Sequence, residues 1–435
     1  MILQTNSPPL RGRRSPIGRQ LLVLVGAALV GMLLALLWNE HQPARQFQRG
    51  MQAVRARDWE GVNYAHLALS GAAGYETRDS LFRGALQVAQ RQPEPALEEL
   101  HFAAKNEATR AAAYELAGEA LYAQDNFRAA EASFRRALVL DPDLSAAHRQ
   151  LAAAYYDVGL MGEALSHLQR LAELEPLDPR PHQVMGVIHM DFGNSSAAVE
   201  DFEESLRRGP SQVDRQEMLL ELAQCQRQLH RYDDARRTLE ACDESAETLA
   251  LLADVWYRQG EREQARRCAQ AALDRAADQR LALLVQGRIA FDERRFDEAV
   301  LSLDQAAKTA PTDADIRYSL ATALRECGRA EDAAAEMRAA DELYQKGTQA
   351  QSMLQQAAAE PYNAELRYRL GVLAEELGAP DIAQTWFQAT LLLAPGHRQA
   401  RAKLSGRPAS PRDAERPESF ASKRVPTAAP PAKNP

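Results

Sequence analysis

Ala111–Leu144 reads AAAYELAGEALYAQDNFRAAEASFRRALVLDPDL, and the pattern of this 34-residue stretch returns at the same spacing on both sides of it. Counted from Ala111, the small residues Gly118, Ala130 and Ala137 stand at positions 8, 20 and 27, Phe134 at 24 and Pro142 at 32. A unit from Ser145 supplies Ala152, Ala164, Leu168 and Pro176, and one from Pro179 supplies Gly186, Ala198, Phe202, Ser205 and Pro210. Towards the N-terminus, a unit from Thr77 has Gly84, Ala96, Leu100 and Ala103, and one from Pro43 has Gly50, Val62 and Leu69. A period of this length constrains the fold more than any property of composition. Each unit is one supersecondary piece that cannot bury its apolar face alone, so neighbours must stack.

The pattern within a unit predicts two amphipathic helices, near positions 1–14 and 18–31, with a turn at Asp125-Asn126 in the unit from Ala111. Two helices that cross closely need small side chains at the contact, which accounts for positions 8 and 20, and a bulky residue at 24 fills the space beside them. Proline at 32 ends the second helix. After Pro210 the spacing slips, and further units fit from Gln216, Ala246, Arg280, Ala314 and Ala364, giving ten in all.

With small residues at 8, 20 and 27, an aromatic at 24 and proline at 32, the chain resembles the tetratricopeptide repeat family from Pro43 to about His397. The resemblance implies an all-α fold, a right-handed superhelical solenoid of about ten helix-turn-helix repeats over 43–404. It also implies a concave groove lined by the first helix of each repeat, at positions 2, 5, 9 and 12. From positions 5 and 12 come the candidate groove residues Tyr122, Arg149, Tyr156, Gln183, Met190, Tyr257, Phe291 and Tyr318. Interleaved aromatics with a few charges suit an extended peptide or a helix. Tyrosine at position 12 is ordinary for the repeat, so the same residues also suit a plain packing role. The family's chaperone-binding carboxylate clamp is absent: Glu115, Glu119, Arg149 and Ala153 stand where it would need lysines, asparagines and an arginine.

Two segments depart from the repeat at its ends and one inside it. Residues 1–20 form a short basic segment with Arg11, Arg13, Arg14 and Arg19, followed by Leu21–Trp38, 18 residues without a charge. As a helix this run spans roughly 27 Å, close to the hydrocarbon thickness of a bilayer. We read it as one transmembrane signal anchor preceding the array. A cleaved signal peptide is the competing reading, but no small-x-small site follows the run. The arginines place the N-terminus in the cytoplasm and the repeats outside it, in the periplasm of a bacterium. Residues 405–435, rich in proline, cannot bury a core and are expected to be disordered. Between the last two units, residues 341–360 favour helix and are expected to extend the preceding helix to about Ala358, projecting beyond the stack.

Little else in the chain speaks for chemistry. The net charge of −8 lacks the basic stripe of a nucleic-acid binder. No phosphate-binding glycine loop or nucleophile elbow appears, and no small-molecule substrate or cofactor is indicated. His148, His182 and His189 share a face at helical spacing, yet they occupy positions where the repeat takes bulky filler. Cys225, Cys242, Cys268 and Cys327 form no C-x-x-C pair, although Cys242 and Cys268 lie close enough in the repeat scheme for a disulfide. The chain therefore reads as a membrane-anchored, non-enzymatic scaffold that holds protein or peptide partners for assembly of an envelope complex. The alternative is a non-catalytic subunit of a polymer-modifying or secretion enzyme complex.

Overall fold

The computed structural model describes residues 42–405; the apolar run Leu21–Trp38 and all but the first residue of the proline-rich tail lie outside them. The described residues form 21 helices and no strand. They divide into two compact units between Ala123 and Gln124. The first holds α1 (Pro43–Ala56), α2 (Trp59–Leu69), α3 (Glu76–Ala89), α4 (Pro93–Ala103) and α5 (Glu107–Ala123). The second begins with α6 (Phe127–Leu140), α7 (Ser145–Asp157), α8 (Met161–Leu174), α9 (Arg180–Asp191) and α10 (Ser195–Arg208). It continues through α11 (Gln212–Gln228), α12 (Tyr232–Glu240), α13 (Ala246–Arg258), α14 (Arg262–Arg275), α15 (Arg280–Asp292) and α16 (Phe296–Thr309). It ends with α17 (Ala314–Glu326), α18 (Ala330–Ala359), α19 (Ala364–Glu376), α20 (Pro380–Leu393) and α21 (Arg398–Leu404). Among the described residues no helix is long and apolar enough to cross a membrane.

Short polar side chains start many of these helices. Asn126, Asn194, Ser245, Asp313 and Asn363 each accept a hydrogen bond from a backbone N–H of the first turn, satisfying donors that the helix itself leaves without partners. Within each hairpin the reversal from first to second helix passes through one left-handed residue. These are Arg57, Arg91, Asp125, His230 and Arg294, with φ near 60°, and Gly159, Gly193, Gly260, Gly328 and Gly378. Each is the fifteenth residue counted from the ten starts given above, so the turn is one backbone device repeated with two kinds of side chain.

The cores follow the small and bulky positions. In the first unit Val62, Leu81, Phe82, Ala96, Leu100 and Leu116 are buried together, and Arg57 reaches Glu115 at 2.9 Å and Glu119 at 2.6 Å. In the second, Ala164, Ala198, Ala235, Ala265, Ala299 and Ala383 are fully buried. Close approach is tightest at glycine: a Cβ on Gly287 of α15 would lie 2.5 Å from Cγ of Leu303 on α16. No larger side chain fits there without displacing the Leu303 side chain.

The 30-residue α18 corrects one expectation. Its distal half does not project. Leu343, Gly347, Ala350, Met353, Leu354 and Ala357 are buried, and all but the glycine belong to one core with Leu366, Leu370, Ile382, Trp386 and Phe387 of α19 and α20. A buried residue every third or fourth position down the extension gives it an apolar stripe, and α19 and α20 cover that stripe.

Candidate partner-binding face

Of the eight candidate groove residues, Tyr122 belongs to the first unit, on α5, and the other seven to the second. Tyr122 is half-buried. On α7, Arg149 is ion-paired with Glu175, while Tyr156 is fully buried and presents no surface to a partner in this arrangement. Here the packing role wins for Tyr156. Gln183 and Met190 of α9 are half-buried, and Met190 packs on a core of Val187, Phe202, Met218 and Leu222.

The three aromatics further along the chain stand on successive first helices. Tyr257 of α13 packs against Ala250, Ala253 and Ile289, and its hydroxyl donates to Asp292 of α15 at 3.3 Å. Burial and then the Asp292 charge push its phenol above the ordinary range. Phe291, beside Asp292, meets Phe296 edge-on with ring centroids 5.5 Å apart. Tyr318 of α17 is 44% exposed, the most open of the set among those with a large apolar side chain. Tyr257 and Phe291 are thus joined through one helix, whereas Arg149 pairs within its own repeat and Met190 packs towards the next one, on α11.

Charge on the same helices was not singled out by the repeat pattern. Asp254 of α13 is fully buried. Its Oδ2 accepts from Arg227 of α11 at 3.0 Å and from Arg258 at 2.8 Å. Burial pushes this carboxyl up, but Arg227 and Arg258 outweigh it and hold the group ionised below the usual carboxylate range. The signal lay in LLADVWYR, an aspartate inside an apolar helix with an arginine four residues on. Asp254 therefore ties two consecutive first helices, and its worth is positional: it fixes the register of the face that carries Tyr257.

The histidines and cysteines take structural parts. His182 and His189 each point Nδ1 at one oxygen of Asp201, at 2.9 and 2.8 Å, so a carboxylate holds them against the second helix of their own hairpin. His148 donates from Nε2 to the Pro142 carbonyl at 3.0 Å and meets Nδ1 of His167 at 2.8 Å. Among the described residues no group of three or more metal-binding side chains is gathered. Cys242 and Cys268 are both free; the Cys242 thiol contacts the Thr238 carbonyl at 3.4 Å, and burial pushes it up to about 11.

Similarity to known proteins bears on the repeats. Tetratricopeptide repeat models match residues 116–179, 184–247 and 251–314, and a second such model matches 290–356. A search of curated proteins gives no match. Among solved structures, a tetratricopeptide repeat protein from Parabacteroides merdae superposes with a TM-score of 0.36 at 17% identity, over 58% of this chain and 100% of its own. The apo form of RapI gives 0.46 at 13% identity, over 70% of this chain and 98% of that one. MamA gives 0.29 at 20% identity, over 38% and 97%. The family models carry the assignment, spanning over half of the 435 residues within the stretch where the 34-residue pattern is found. The chain belongs to the tetratricopeptide repeat family.

Proposed function

We propose that this chain is a protein-interaction scaffold that holds a partner segment against the first helices of its second unit. The observation that supports this best is the run of Tyr257, Phe291 and Tyr318 on three consecutive first helices. Two of the three are held by Asp292 and Phe296, and the third is open. Rigid aromatic rings offer contact area at small cost in conformational entropy, which favours them as anchors for a bound chain. The charged pairs beside them, Asp254 with Arg227 and Arg258, set the spacing of the helices rather than supply the contact.

The apolar run Leu21–Trp38 supports a membrane anchor, with the repeats on the extracytoplasmic side and a role in assembling an envelope or membrane complex. Affinity purification of the full chain from membranes, compared with a Y257A/F291A/Y318A variant, tests the face. The expected result is loss of the co-purifying partner at unchanged helicity. Full retention of the partner would remove these residues from the binding face. A synthase or transferase as the partner would favour the enzyme-subunit role over the assembly role. Protease added to spheroplasts should digest the repeats, and protection there would reverse the topology.

A further inference from the structure

Late helices of the second unit return to its early ones. Arg367 of α19 is fully buried. Its Nε donates to the Val158 carbonyl at 3.2 Å and its Nη2 to that of Gly159 at 3.5 Å, in the turn between α7 and α8. The remaining donors reach the carbonyls of Ala357, Glu360 and Asn363 at 3.3, 2.9 and 3.3 Å. The Trp386 ring lies on Gly159 so closely that a Cβ there would come within 2.5 Å of the ring. Tyr362 donates to Glu131 of α6 at 2.8 Å, on the same carboxylate oxygen that accepts from Tyr155 at 2.9 Å. Phe192, in the turn after α9, packs on the core shared by α18, α19 and α20. Contact thus runs along one edge of the hairpins that start at Ser145 and Pro179.

Three features distinguish this seam from the stacking of one repeat on the next. The distal half of α18, α19 and α20 share a core, with Leu343, Met353, Leu370, Trp386 and Phe387 in it, and most of its apolar cover comes from the segment itself, with Phe192 added from the turn after α9 and Ala314 from α17. The seam itself is held mainly by hydrogen bonds to carbonyls, by one carboxylate and by one tryptophan ring. Farther along, Asp381 at the start of α20 faces Glu217, Glu221 and Glu247 across a cavity of about 500 Å³, so the two sides meet there with like charge, which opposes closure.

We propose that α19–α21, with the distal half of α18, form an intramolecular latch docked on the α6–α9 edge through Tyr362, Arg367 and Trp386, which opens by cooperative local unfolding as one unit. Tyr156 lies two residues before Val158 and is fully buried; release of the latch frees the turn beside it for a partner. That purpose rests on the scaffold reading, whereas the opening itself does not. The dense bonding of Arg367 to carbonyls makes the closed state specific, because a lysine in its place could not reach turn and helix together.

Hydrogen exchange of the full chain, followed by mass spectrometry, tests the latch without any partner. In the wild type, amides of α19–α21 should open at least about tenfold more often than those of α13–α16. Trp386→Ala, and separately Glu131→Gln with Tyr362→Phe, should accelerate α19–α21 and the 158–160 turn together by about tenfold or more and leave α13–α16 unchanged. The second variant removes hydrogen bonds at the seam and no core side chain, so it reads out even where W386A perturbs folding. Equal protection of α19–α21 and α13–α16 in the wild type would overturn the latch. So would acceleration by E131Q/Y362F that spreads into α13–α16, that affects one side of the seam alone, or that is absent. Loss of the partner in the Y257A/F291A/Y318A variant reports on the scaffold reading and is independent of each of these results.

Discussion

Asp254 offers the sharpest test of how successive first helices are held. Replacing it with alanine removes a carboxylate with no solvent exposure and leaves Arg227 and Arg258, whose side chains are 23% and 29% exposed, facing each other without their counter-charge. Removing one partner of a buried pair costs about 3–5 kcal/mol when the remaining charge is sealed from water. Both guanidiniums here reach the surface in part, so the expected cost is about 2–4 kcal/mol. Asp254→Asn keeps the shape and one acceptor and should cost roughly half as much. Urea unfolding followed by circular dichroism reads the loss as a lower midpoint at unchanged slope. A double-mutant cycle with Arg227→Met should return a coupling of at least about 1 kcal/mol. An alanine variant within about 0.5 kcal/mol of the parent would show that the pair does not hold α11 to α13 and would refute the reasoning.

Three further predictions concern the hairpins. Burial, then His148 and Arg135, lower the His167 pKa to about 4. The unfolded chain therefore binds the proton more readily, and stability present above about pH 6.5 should be lost as pH falls towards 4, by roughly 1–2 kcal/mol after allowing for partial exposure. Denaturation midpoints at pH 7, 6, 5 and 4 should show this slope, and His167→Gln should flatten it. Gly287→Leu drives side-chain atoms into Leu303, whose Cγ would already lie 2.5 Å from an added Cβ; the expected loss is about 1–3 kcal/mol, recovered in part by Leu303→Ala in the same unfolding assay. Arg294 holds φ at 60°, a conformation that costs an ordinary residue about 1–2 kcal/mol, so Arg294→Gly should raise stability by about 0.5–1 kcal/mol after the entropy of glycine is subtracted. A lower urea midpoint for that variant would argue against strain at this turn.

The all-helical repeat was legible because its cause is local. Gly or Ala at positions 8 and 20 and a bulky residue at 24 record a close helix crossing, and a crossing of that kind leaves the same trace wherever it recurs. The left-handed turn residue was not legible, since Gly159 and Gly260 share their place with Arg57, Asp125 and His230, and the backbone requirement is hidden by the mixture. The candidate face was legible only as a set of positions. Tyr156, at position 12, and Tyr318, at position 5, both belong to the expected face, yet one is sealed and the other is 44% exposed, a difference that position in the repeat does not carry. The return of α19 and α20 had one trace: Arg367 stands at position 4 of its unit, where the repeat takes a bulky apolar residue. A single substitution of that kind does not say which distant carbonyls will receive the guanidinium.

The central claim is that the first helices of the second unit bind a partner chain, and site-specific photocrosslinking in cells measures it directly. A photoreactive residue placed at Met190, Tyr257 or Tyr318 should trap one and the same protein in good yield. The same residue at Leu301, 72% exposed on the second helix α16, should trap none of it. Equal trapping at Leu301, or no adduct from any first-helix position, would contradict the account.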